Sequence, residues 1–139
     1  MFFEHNSRVT ALFDVFRKSS IVTSSSSSAQ NVLILGSGYV SAPVVDYLTR
    51  DRDVSVTVAS HVRGEIETLA STYVNTTPVL LDVIRSKDDV EKLIAQSDLV
   101  ISLLPYVYHP QVAESCIKHK TNMVTASYRS PEILAMNDA

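Results

Sequence analysis

"NVLILGSGYVSAPVVDYL", residues 31 to 48, is the stretch that decides how this 139-residue chain folds. An apolar run at Val32–Leu35 is broken by Gly36 and Gly38, and small and apolar residues at helical spacing follow. This is the pattern of a buried strand, a glycine turn and the start of a helix. Gly36 permits a tight bend, and Gly38 lets the backbone come close to a pyrophosphate. Free N–H groups near Tyr39 and Val40 would then point at phosphate oxygens. The G-x-G-x-x-G fingerprint asks for a third glycine where this chain has Ser41. That position serves close helix–strand packing, which small residues such as Ser41 and Ala42 allow. The alternative is a plain strand-to-helix turn that uses glycine for steric reasons alone.

Composition bounds the rest. Only three glycines occur in the chain, and two of them lie in this one turn, so backbone freedom is concentrated there. With 45% apolar and 19% charged residues, the chain reads as one soluble globular domain. A net charge of −3 gives no electrostatic footprint for nucleic acid or an anionic membrane. No apolar run approaches the roughly 20 residues that span a bilayer. The single cysteine, Cys116, excludes an internal disulfide framework and an all-cysteine metal cluster. His5, His61, His109 and His119 form no i,i+4 pair, so no metal site is expected.

The chain divides into residues 1–30 and 31–139. The first segment holds a serine tract, "TSSSSSAQ" at 23–30, with the composition of a flexible linker. Before it, Val9, Leu12, Phe13 and Phe16 have the spacing of a short amphipathic helix. Arg8, Arg17 and Lys18 among serines suggest a mitochondrial transit peptide, whereas Glu4 and Asp14 argue for the tail of an upstream region, which we favour. From residue 31, apolar runs at 32–35, 54–58, 79–83, 99–104 and 123–124 alternate with helical stripes. These stripes are Val40/Val44/Tyr47/Leu48, Ile66/Leu69/Ala70/Tyr73, Val90/Leu93/Ile94 and Val112/Ala113/Cys116/Ile117, with a further helix starting near Pro131. Ser86 followed by Asp89 resembles a capping signal. Near-continuous apolar strands between amphipathic helices imply a parallel sheet covered on both faces. The expected fold is a doubly wound α/β domain, Rossmann-like, of about five strands. A two-halved Rossmann domain carries a sixth strand, so the domain reads as incomplete.

In such a sheet, ligands lie at the carboxyl ends of the strands beside the reversal of strand order, where the glycine turn falls. An NAD site usually has an acid about 20 residues after the glycines to hold the ribose 2′-hydroxyl. Here "VTVASHVRGE" offers Ser60, His61 and Arg63 and no acid before Glu65, which tilts the cofactor from NAD toward NADP. Arg63 reads equally well as a solvated first-turn residue. Asp82 and Val83 fall where an adenine ring is usually bordered, and Asp82 equally suits a turn or helix cap. The loops "ISLLPYVYHP" (101–110) and "VTASYRSPE" (124–132) emerge on the same rim. Tyr106 and His109 are its candidate acid/base groups; packing and the start of a helix are their alternative roles.

Together, "VLILGSGYVSAPVVDYL", "DLVISLLPYVYHPQVAESCI" and "NMVTASYRSPEI" resemble the glutamate-forming saccharopine dehydrogenases of lysine metabolism, over residues 31 to about 134. In animals this activity is similar to the second half of a bifunctional mitochondrial aminoadipic semialdehyde synthase, whereas the fungal relatives are separate NADP-dependent enzymes. The resemblance implies hydride transfer between the C–N bond of saccharopine and a nicotinamide, with hydrolysis of the imine. It implies cofactor contacts at Gly36, Ser37, Gly38, Tyr39 and Val40, around Ser60 and His61, at Asp82 and Val83, and at Leu103, Pro105 and the Tyr128 loop. His61 is neither of the charged types that the family offers there, so the resemblance leaves NAD and NADP open. The family's substrate domain and its "LDPG"-type segment are absent, which implies a truncated chain that binds a dinucleotide without turning over saccharopine. Its partner would be the rest of a larger bifunctional chain or a second copy in a homo-oligomer. Its location would be mitochondrial for an animal-type enzyme and cytoplasmic otherwise. The competing expectation is a non-catalytic regulatory or scaffold module on the same fold.

Overall fold

The computed structural model describes residues 29–128 and 130–136. The expectations for a helix before residue 18 and for the serine linker therefore fall almost wholly outside the described residues. Among the described residues there are five strands: β1 (Gln30–Leu35), β2 (Val54–Ser60), β3 (Thr76–Leu80), β4 (Leu99–Ser102) and β5 (Asn122–Thr125). The helices are α1 (Ser41–Thr49), α2 (Arg63–Thr72), α3 (Lys87–Ala95), α4 (His109–His119) and α5 (Pro131–Ala135). All strand pairs are parallel, in the order β3-β2-β1-β4-β5. The chain builds outward from β1 to β3, then crosses back to place β4 on the other side of β1. The turn after β1 thus sits where the direction of winding reverses, the ligand-binding position of such sheets.

The central strand explains the two-sided core. Val32 and Ile34 face one side with Val45 and Leu48 of α1 and Ile66 and Leu69 of α2. Leu33 and Leu35 face the other with Val90 and Ile94 of α3 and Val112 and Cys116 of α4. Period-two alternation in a strand apolar on both faces needs a helix layer on each side, and each layer is here. Burying an aliphatic side chain of this size contributes about 1.5–3 kcal/mol, so these layers are the main stabilising term.

Three local expectations are corrected. The third strand ends at Leu80, and Asp82 and Val83 lie in the turn beyond it. The apolar run at 79–83 is shared between a strand end and a core residue, since Val83 is buried against α3 and α4. On α1 the buried face is Ser41, Val45, Leu48 and Thr49, while Val40 is exposed. Of the stripe drawn from Val40, Leu48 lies in the core and Val44 packs against it, so the correction falls on Val40, which precedes the helix. Ser86 does precede α3, but with φ −101° and ψ 58° its side chain makes no capping bond; its carbonyl accepts from Asp89 and Val90 instead.

β3 is an edge strand with Pro78 at its centre, paired with Val58. Leu81 donates to Ser60 across the β2 ladder. By strand alternation, the N–H groups of Val79 and Thr77 also face β2, and position 78 faces outward. Pro78 therefore costs the sheet no ladder bond and removes one donor from its free edge.

Candidate dinucleotide site

The turn is built by the two strands on either side of β1. Gly36 donates its N–H to Ala59 at 2.9 Å, and Leu103 donates to Leu35 at 2.9 Å. Gly36 adopts φ +104°, and a Cβ there would lie 3.3 Å from the Leu103 carbonyl oxygen. Glycine is required here on both conformational and steric grounds. Gly38 differs: a Cβ added to it would meet nothing within 4 Å. The space in front of it is open.

Helix α1 completes the cradle. Its amino end has no capping side chain and no acid in its first turn. Among the described residues, the N–H groups of Ser37, Gly38, Tyr39 and Val40 find no backbone acceptor. Unfilled donors at a helix start beside an open glycine suit an anion. Ser41, in the third position of the fingerprint, does more than stay small. It is 1% exposed, and its hydroxyl donates to the Gly38 carbonyl at 2.5 Å. The Ser41 N–H donates to the same oxygen at 2.9 Å, so the turn is clamped from inside the helix. The fingerprint treats that site as a matter of size; only the chemistry of serine signals the clamp.

The residues singled out after β2 separate in space. Ser60 is buried, with its Oγ 2.8 Å from Ser37 Oγ and accepting from the Val62 N–H at 3.2 Å. His61 is exposed. Arg63 opens α2 and pairs along the helix with Glu67 at 3.2 Å. Glu65 instead reaches the glycine turn, accepting from Ser37 Oγ at 2.5 Å. Sequence distance obscured this contact, because 28 residues separate the partners. Asp82 accepts from the N–H groups of Ile84 and Arg85 at 3.0 and 3.1 Å, the turn-capping role. Val83 turns into the core.

On the opposite side, Leu103 forms the wall against which Gly36 nests, and Pro105 is exposed beside it. Tyr106 and Tyr128 are exposed on this rim, as is Tyr39. His109 is 3% exposed. Its Nδ1 lies 3.0 Å from Ser102 Oγ and its Nε2 3.0 Å from Ser127 Oγ. A neutral imidazole donates from one nitrogen and accepts at the other, and a hydroxyl can play either part. Burial lowers the His109 pKa below its ordinary value of 6.5. The ring thus ties the end of β4 to the loop after β5. Among the described residues, no group of three His, Cys, Asp or Glu side chains gathers to hold a metal.

The parallel sheet, the turn at its reversal point and the open helix start define a dinucleotide-binding Rossmann domain. The model of the saccharopine dehydrogenase NADP-binding domain matches residues 32–139, and the chain belongs to that family. NAD(P) is therefore its cofactor class, with NADP favoured. It is 51% identical over 104 residues to the mitochondrial alpha-aminoadipic semialdehyde synthase of Bos taurus, covering 75% of this chain and 11% of that one. It is 43% identical over 106 residues to the L-glutamate-forming, NADP-dependent saccharopine dehydrogenase of Saccharomyces cerevisiae, covering 75% and 23%. The solved structure of the apo Saccharomyces cerevisiae enzyme superposes with a TM-score of 0.71 at 41% identity, over 77% of this chain and 24% of that one. The chain thus spans less than a quarter of the length of these relatives.

Proposed function

We propose that the chain holds NAD(P) across the carboxyl ends of β1, β2 and β4 and presents its nicotinamide for hydride transfer at the C–N bond of saccharopine. One observation carries this reading. Gly36 is wedged against Leu103 while Gly38 leaves an open cradle under the unfilled donors of α1. The dinucleotide supplies the hydride chemistry when bound. The protein's share is to position it: the glycine turn takes the pyrophosphate, Ser60, His61 and Arg63 border the adenosine end, and Leu103, Pro105 and Tyr128 flank the nicotinamide end. This unit begins with β1 at Gln30, which pairs with Val54, one residue before the boundary drawn from the sequence. The location that follows is mitochondrial for a chain of the animal type, like the mitochondrial bovine relative, and cytoplasmic otherwise.

The two serine bonds of His109 favour a second reading beside the first: the chain binds cofactor without its own acid/base group. Substrate-binding surfaces then come from a further part of a larger chain or from a second copy. Titration of the chain with NADPH and NADH, followed by cofactor fluorescence, tests the common premise. Saturable binding is expected, and no binding of either at millimolar concentration would overturn it. Saccharopine oxidation by the chain alone would rule out the second reading.

A further inference from the structure

Ser37 lies between the two glycines, yet its side chain turns away from the cradle toward the end of β2, where it is 8% exposed. Its hydroxyl has one proton and two oxygen neighbours, Glu65 Oε2 at 2.5 Å and Ser60 Oγ at 2.8 Å. A carboxylate only accepts, so the Ser37 proton goes to Glu65 and the Ser60 proton to Ser37. Ser60 accepts in turn from the Val62 N–H. The resulting chain of donors runs one way, from Val62 through Ser60 and Ser37 to Glu65. It holds a carboxylate across the gap between the glycine turn and the end of β2. The nearest cation in sequence is engaged elsewhere, because Arg63 pairs with Glu67 on the exposed face of α2.

In sheets of this kind the adenosine ribose occupies that gap, and its 2′ substituent meets whatever charge follows β2. We propose that Glu65 is a specificity-determining residue for the cofactor, setting an upper bound on how strongly the site prefers NADP over NAD. This rests on the dinucleotide reading above. The carboxylate accepts readily from a ribose 2′-hydroxyl and opposes a 2′-phosphate. It enters from the first turn of a helix and is held by a serine of the phosphate turn itself.

The test uses Glu65→Gln and Glu65→Lys in the full chain, with thermal unfolding to establish that both fold; Glu65 is exposed, so both should. Cofactor fluorescence gives Kd for NADPH and NADH in each. Glu65→Gln should shift the preference toward NADPH about ten-fold, Glu65→Lys further, and both gains should shrink at high salt. Binding of both cofactors with an unchanged NADH-to-NADPH ratio in the two variants would overturn this proposal alone. Failure of the wild-type chain to bind either would overturn the dinucleotide reading and the proposal with it.

Discussion

At Gly36 the backbone takes a conformation that side chains with a Cβ rarely adopt, in space that the Leu103 carbonyl already borders. Gly36→Ala should lower stability by about 1–2 kcal/mol, the cost of left-handed backbone, as measured by denaturant unfolding. Ser41→Ala removes a hydroxyl bond inside the same turn but leaves the Ser41 N–H on the Gly38 oxygen. A smaller loss of about 1 kcal/mol is expected by the same measurement. The need for Gly36 was legible in the sequence, because few other residues can serve a tight turn between a buried strand and a helix, whereas the turn itself does not demand glycine at Gly38. The Ser41 clamp and the Glu65 contact were not legible, because hydrogen bonds depend on side-chain direction after packing. Spacing and residue type do not encode that direction.

At the scale of elements, α4 is docked by its first residue. His109 binds Ser102 at the end of β4 and Ser127 beyond β5, so one imidazole joins a helix, a strand and a loop. Burial disfavours its charged form. The unfolded chain takes up the proton near the ordinary value of 6.5, while the folded chain resists it. Stability is therefore full above that value and falls as pH drops through the folded pKa. Denaturant midpoints measured across this window should decline toward acid, and His109→Gln should flatten the decline. A second clasp lies on the same helix, where Glu91 of α3 receives Lys118 and His119 of α4. The Lys118 and His119 hydrogen bonds hold the Glu91 pKa below its usual 4.5, so this contribution is lost only at more acidic pH. Element types were legible because the apolar periods of 2 and 3.6 differ clearly. The third strand was displaced because Val83 is as apolar as a strand residue, and burial in a turn resembles burial in a sheet.

Across the whole molecule, the alternation of strand and helix was enough to give the doubly wound sheet, since each strand needs cover on both faces. The order of strands places the glycine turn, the Ser60 end of β2 and the β4 and β5 loops on one rim, and that convergence makes the candidate site. The two flanks of the sheet are unlike. On the β3 flank, Pro78 deletes an outward donor at the centre of the strand. Pro78→Val should restore it, and light scattering should then show concentration-dependent self-association with little change in thermal midpoint. The consequence is protection of one flank: a neighbouring backbone meets an incomplete template at β3, while the ladder that β3 shares with β2 keeps its bonds.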